Sequence, residues 1–258
     1  MKETMALAKA NAKKFLRNYG IRKPGRVDVV ALANLESIYV QKGKPGEALG
    51  RICYSGGEGV ITISGDVSLE SQKRFIIAHE LGHYCNEFSG RELFYICHSE
   101  YLHNPFIKNI HEHEANEFAT ELLMPEEWFI TLVKKKPLSK KLLDEITGCF
   151  GVGLSAIAMR YAEFGDYPAG FIFVTDGKVR WCKFNPSFPF GYVPIGTKVS
   201  NFSYAFEFFE GKEIPDEPEN ILADAWFLND RNYKKDFFIK ELVIPMPNYQ
   251  SAMVMVWS

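Results

Sequence analysis

The sequence has no apolar run approaching the ~18 residues a membrane-spanning helix needs, so no such span is expected. Its first residues, Met1-Lys2-Glu3-Thr4-Met5-Ala6-Leu7-Ala8-Lys9, lack the unbroken apolar stretch of a secretory signal. There is no Cys-x-x-Cys pair. The five cysteines, Cys53, Cys85, Cys97, Cys149 and Cys182, are odd in number and widely spaced. That argues against a disulfide framework and for a reduced compartment, the cytoplasm. A basic surplus is missing too: 30 Lys and Arg face 32 Asp and Glu, a formal net charge of −2. Broad phosphate-driven nucleic-acid binding is therefore not expected. Internal repeats and low-complexity tracts are absent, and no histidine follows His113.

What is present is an ordinary globular composition, 47% hydrophobic over 258 residues, enough for one large domain or two smaller ones at ~150 residues each. All six histidines, at 79, 83, 98, 103, 111 and 113, lie in one short stretch. Aromatics lean the other way, with 20 of 37 at or after residue 166. A polar, chemically active first half and an aromatic-rich second half follow.

The pattern predicts an α+β chain. Residues 3–19 read as a helix stopped at Gly20, and 27–40 as a second helical stretch. Residues 51–64 read as a hairpin turning at Gly56-Gly57-Glu58-Gly59. Ser68 is a candidate N-cap for a long helix to about Phe88, with Ile77, Leu81, Tyr84 and Phe88 on one face. Residues 91–110 read as irregular, and His111 to Met124 as a helix closed by Pro125. Ser139 and Ser155 are candidate caps of two further helices, separated by Gly151-Val152-Gly153. Beyond residue 166 strands prevail. Phe171–Thr175 and Lys178–Phe184 flank Asp176-Gly177, a type I′ hairpin signal. Two more strands are expected at Leu242–Pro245 and Ala252–Trp257, and a loop at Glu213–Asn220. Three regions are expected: 1–137, 138–165 and 166–258.

The chemistry gathers in His79-Glu80-Leu81-Gly82-His83. On a helix, residues four apart share a face, so two imidazoles can bind one metal ion, with Glu80 beside them as a general base. Zinc with three protein ligands keeps a position for water and lowers its pKa towards ~7. The competing reading is two helix histidines hydrogen-bonded within a core. Gly82 costs ~1 kcal/mol in a helix interior relative to alanine, which makes sense if something approaches that face closely. A third ligand should come from Glu112-His113-Glu114-Ala115-Asn116-Glu117-Phe118-Ala119. Glu112 is the first choice, with Glu114, His111 and His113 as competitors. Asn116, one turn on, can hydrogen-bond a ligand histidine. Ala115, Phe118, Ala119, Leu122 and Leu123 form the buried side.

Arg74 to His83, followed by Glu112 to Pro125, resembles the ImmA/IrrE metallopeptidases over residues ~50 to 130. The resemblance implies a mostly helical, zincin-like core of gluzincin type. Zinc would be held by His79, His83 and Glu112, with Glu80 catalytic; manganese or another divalent ion would suit the same donors. It implies peptide-bond hydrolysis in a helix-turn-helix repressor, derepressing phage, mobile-element or stress-response genes. The alternative is a non-catalytic, metal-containing regulator that binds a repressor or DNA.

Relatives often carry a helix-turn-helix-like segment after the core, and residues 139–164 look similar. The would-be recognition helix offers only Arg160, beside Glu163, so packing or substrate docking is expected rather than DNA readout. Some relatives end in a GAF-like domain, and residues 166–258 have comparable size; their aromatics are expected to form core. Tyr95, His98, Tyr101 and His103 are candidate oxyanion donors, and Cys85 and Cys97 lie near the ligand helices. Val60–Ile63 is expected to be the edge strand that a substrate peptide joins.

Overall fold

The computed structural model describes residues 2–46, 48–87, 93–97 and 109–258, the stretch 93–97 by its backbone. The contacts divide the chain into two units, Met1–Phe129 with Glu145–Ala156, and Ile130–Asp144 with Ile157–Ser258. The fold is α+β, as expected.

The first unit opens with α1 (Lys2–Asn18), ended by Gly20 in the left-handed region, then α2 (Val29–Leu35), capped by Asp28. Helix was expected to continue to residue 40. Instead Glu36 and Ser37 return their N–H groups to Ala33 and Asn34, and Ser37 takes φ 58°. The chain then enters β1 (Ile38–Gly43). Its partner strand lies 21 residues downstream, so no local signal marked it. The expected hairpin is present as β2 (Gly50–Ser55) and β3 (Glu58–Ser64).

The long helix α3 spans Glu70–Glu87 and begins two residues beyond Ser68. A strand, β4 (Leu93–Cys97), lies where irregular chain was expected; it pairs antiparallel with β2, Ile52 opposite Tyr95. The sheet order is β1-β3-β2-β4, with β1 parallel to β3. β3 is therefore interior and not the expected edge. Both its backbone edges are occupied by β1 and β2, so a peptide has no free hydrogen-bonding groups to join.

Asn109 caps α4 (Ile110–Leu123), its side chain accepting from the His111 N–H. Next come α5 (Glu126–Val133), α6 (Lys140–Phe150) and α7 (Leu154–Phe164). Ser139 caps α6, accepting from the Leu142 N–H at 3.2 Å. α7 begins one residue before Ser155, which lies inside the helix rather than at its cap. On α7, Ile157, Ala158, Arg160, Tyr161 and Ala162 are buried. Arg160 is 1% exposed, with its guanidinium 4.8 Å from the Phe164 ring centroid, so it offers nothing to a DNA groove.

The second unit carries a five-stranded antiparallel sheet. β5 (Ala169–Thr175) and β6 (Lys178–Phe184) meet at Asp176 and Gly177, both at positive φ as a type I′ turn requires. Two short helices, α8 (Tyr204–Phe209) and α9 (Asp224–Phe227), flank β7 (Glu219–Leu222) where mainly strand and loop were expected. Four to six residues carry too little periodicity to announce a helix. β8 (Phe238–Met246) and β9 (Ser251–Trp257) complete the order β6-β5-β9-β8-β7.

One face of this sheet packs Ile172, Val174, Val254 and Val256 against Phe188, Phe190, Trp226 and Phe227; Phe190 and Phe227 stack at 4.5 Å. These aromatics are core, as expected. Glu241 is buried beneath α8, accepting from Ser203 Oγ (2.8 Å), the Tyr204 N–H (2.8 Å) and Trp226 Nε1–H (2.7 Å). Among the described residues, no single helix is long and apolar enough to cross a membrane.

Candidate metal centre

Every residue of α3 from Arg74 to His83 is buried, so the helix carries its polar groups into the interior. His79, Glu80 and His83 are all at 0% exposure. Two glycines let neighbouring elements close in around them. At Gly82 a Cβ would stand 2.9 Å from Ala115 Cα, so α3 and α4 touch directly. This is the close approach that the glycine implied. At Gly50 a Cβ would stand 2.4 Å from Ile76 Cγ2 and 2.7 Å from Glu80 Oε1, so β2 lies tight over the carboxylate. Nothing in the sequence pattern singled out Gly50; the contact is tertiary.

The helix contact brings Glu112, in the first turn of α4, to the two imidazoles. Glu112 Oε2 is 3.2 Å from His79 Nε2, and Oε1 is 3.5 Å from His83 Nε2. The two Nε2 atoms are 3.1 Å apart. Two ligand atoms each ~2.0–2.1 Å from a tetrahedral zinc are ~3.3 Å apart, which matches this spacing. All three residues can offer one donor atom within 4.8 Å of the others.

Protonation sharpens the fit. The Asn116 amide oxygen only accepts, and it lies 2.9 Å from His79 Nδ1, so that nitrogen carries the hydrogen. Burial holds the His79 imidazole below its ordinary pKa against the pull of Glu112. Its Nε2 is therefore a lone pair facing the Glu112 carboxylate. Glu112 Oε2 and both Glu80 oxygens are buried without a hydrogen-bond partner. Burial, then the Glu112 charge, pushes the Glu80 carboxyl well above its ordinary range; the nearby Ile52 N–H opposes this without making a well-formed bond. A buried Glu112 carboxylate facing the His79 lone pair, with the Glu80 carboxyl close enough to feel its charge, needs a cation. A divalent ion fits this donor set.

The competitors for third ligand lie elsewhere. His111 Nδ1 sits 3.7 Å from Glu114 in a partly exposed pair. Neither His111, His113 nor Glu114 joins the group. Cys85 is half-buried, its thiol pKa pushed up by desolvation and by Glu36, and it too stands outside that group. The four described cysteines are unpaired. His98, Tyr101 and His103 lie outside the described residues, as do the side chains of Tyr95 and Cys97.

Two supports hold α3 from behind. Arg74 donates to the carbonyls of Val27 (2.9 Å) and Phe150 (3.0 Å). Glu36 accepts from the hydroxyls of Tyr19 and Tyr84, the latter adjoining His83.

No curated protein matches the chain. Among solved structures, a Mycobacterium tuberculosis transcriptional regulator shares the fold at 15% identity and a TM-score of 0.54, covering 100% of this chain and 76% of that one. Residues 37–161 match a family model described as the IrrE N-terminal-like domain. With the buried His79, His83 and Glu112 cluster inside the matched span, residues 37–161 are an IrrE N-terminal-like domain of the Peptidase_M78 family.

Proposed function

We propose that this chain is a zinc-dependent endopeptidase that cuts a bacterial helix-turn-helix repressor and so relieves repression. The observation that carries the hydrolytic reading is the unpartnered, buried Glu80 carboxylate beside the His79, His83 and Glu112 donors. A divalent ion bound there supplies Lewis acidity and makes hydroxide available near neutral pH.

The chain's own residues do the rest. Asn116 fixes the His79 ring with its Nε2 lone pair turned inward. Glu80 takes the proton from the attacking water as its oxygen joins the scissile carbonyl carbon. It returns that proton to the amine as the C–N bond breaks. Gly50, bare of a side chain, leaves Glu80 its place under β2.

The repressor as target rests on the family and on the structural likeness to a transcriptional regulator. The cytoplasm as location rests on the spacing of the cysteines. The test uses the intact chain, its Glu80→Gln variant and repressors encoded near its gene, each with and without a chelator. Cleavage by the parent alone, lost with the chelator, together with one metal per chain in both proteins, supports this reading. A Glu80→Gln chain that binds metal and retains full derepression makes the protein a non-catalytic regulator instead.

A further inference from the structure

Five lysines fall within eight residues of the second unit: Lys134, Lys135, Lys136, Lys140 and Lys141. The first three follow the end of α5 and the other two open α6. Lys134, Lys135, Lys140 and Lys141 are exposed. The turn is ordered. The N–H groups of Lys134 and Lys136 return to Ile130 and Val133, and the Lys135 N–H reaches Asp166 Oδ2 at 2.7 Å. Lys135 is held at φ 56°, an uncommon backbone state for a lysine.

The placement runs against local electrostatics. α1, α3, α4 and α5 each carry glutamate in the first turn, where the positive end of the helix dipole favours it. α6 instead places Lys140 and Lys141 there, with no acid. Lys140 has Asp216 at 3.6 Å, and both side chains are largely in water. A fold that pays this repulsion has reason to present positive charge to something outside it.

We infer that the Lys134–Lys141 turn is a docking surface for the phosphate backbone of duplex DNA, without base readout. The cluster has no arginine and no exposed aromatic side chain, the residues that anchor protein–protein interfaces, where lysine is depleted. Compact ammonium charges on flexible stems suit phosphates. Two expectations stood against DNA. The net charge of −2 excludes a broad basic footprint but not a local cluster. The buried Arg160 of α7 rules out groove reading from that residue; the lysine turn is a local cluster on a different element and reads no bases. Resting on the proposed function, the surface would bring the peptidase to repressors seated on their operators.

The experiment measures fluorescence anisotropy of a labelled duplex of arbitrary sequence with the full chain. Sequence-independent binding is expected, weakening on the order of 10²-fold between about 50 and 200 mM salt if four to five phosphates are engaged. Lys134→Gln, Lys140→Gln and Lys141→Gln combined should cut the salt slope by more than half. The same charge change at Lys23, Lys42 and Lys44 should leave it nearly intact. Absence of binding at low salt, an unaltered slope in the first triple variant, or tighter binding of polyglutamate than of duplex overturns the proposal. None of these results bears on cleavage of a repressor free in solution, so the peptidase reading stands or falls separately.

Discussion

Gly82 and Ala115 bring the backbones of α3 and α4 into contact, with no room for a methyl group between them: a Cβ on Gly82 would lie 2.9 Å from Ala115 Cα and 3.0 Å from its carbonyl oxygen. The same contact aligns His79 and His83 with Glu112. Alanine is preferred over glycine in a free helix by about 1 kcal/mol. Here overpacking costs about 1–3 kcal/mol, so Gly82→Ala is expected to destabilise by up to about 2 kcal/mol. Metal affinity should fall at least tenfold as the helices part. Urea unfolding and competition against a chromophoric chelator measure the two effects.

Asn116 orients His79 through one hydrogen bond of 2.9 Å. Removing such a partner costs roughly 10- to 100-fold in metal affinity. Asn116→Ala should show that loss, while Asn116→Asp, which keeps an acceptor oxygen, should retain most of the affinity. Isothermal titration with zinc compares them.

Without a cation the buried Glu112 carboxylate faces the His79 lone pair, so the metal should stabilise the fold. At a thousandfold excess over its dissociation constant, a ligand specific to the folded state adds about 4 kcal/mol. Calorimetric scans before and after dialysis against chelator should show a lower melting temperature, restored by added zinc. An unchanged melting temperature would count against a metal bound only by the folded chain.

Glu241 gives a pH dependence distant in sequence from the metal ligands. Burial lifts its carboxyl above the ordinary range, against hydrogen bonds from Trp226, Ser203 and Tyr204. The folded chain thus holds this proton more tightly than the unfolded chain. Its contribution is fully present at low pH and is lost as pH climbs from about 4.3 through the raised folded value. Glu241→Gln should flatten that decline in urea-unfolding curves taken across the window. A parallel decline in parent and variant would assign it to other groups.

The residues legible from sequence were those whose partners lie close in the chain. His79 and His83 are one helical turn apart, Asp176 and Gly177 form a two-residue turn, and Ser139 caps α6 by accepting from an N–H three residues on. Glu112 and Asn116 were legible because they too share a helix face. Distant partners erased the signal elsewhere. β1 depends on β3, β4 depends on β2 some forty residues earlier, and each reads alone as a short apolar run compatible with helix or loop. β3 looked like an edge because its alternation says nothing about how many neighbours it has. The burial of Arg160 beside Phe164 is set by the tertiary fold and leaves no signal in the helix pattern.

The two carbonyls bound by Arg74 lie 47 residues before it and 76 residues after it. On a ribosome, the second acceptor emerges long after the histidines have been made. Until Phe150 arrives, the amino-terminal half of α3 lacks one of its tethers, and the enclosure around the histidines is incomplete. Maturation of the centre is therefore expected to be a late, slow event set by chain topology, so that a newborn chain carries every reactive side chain before it can use them.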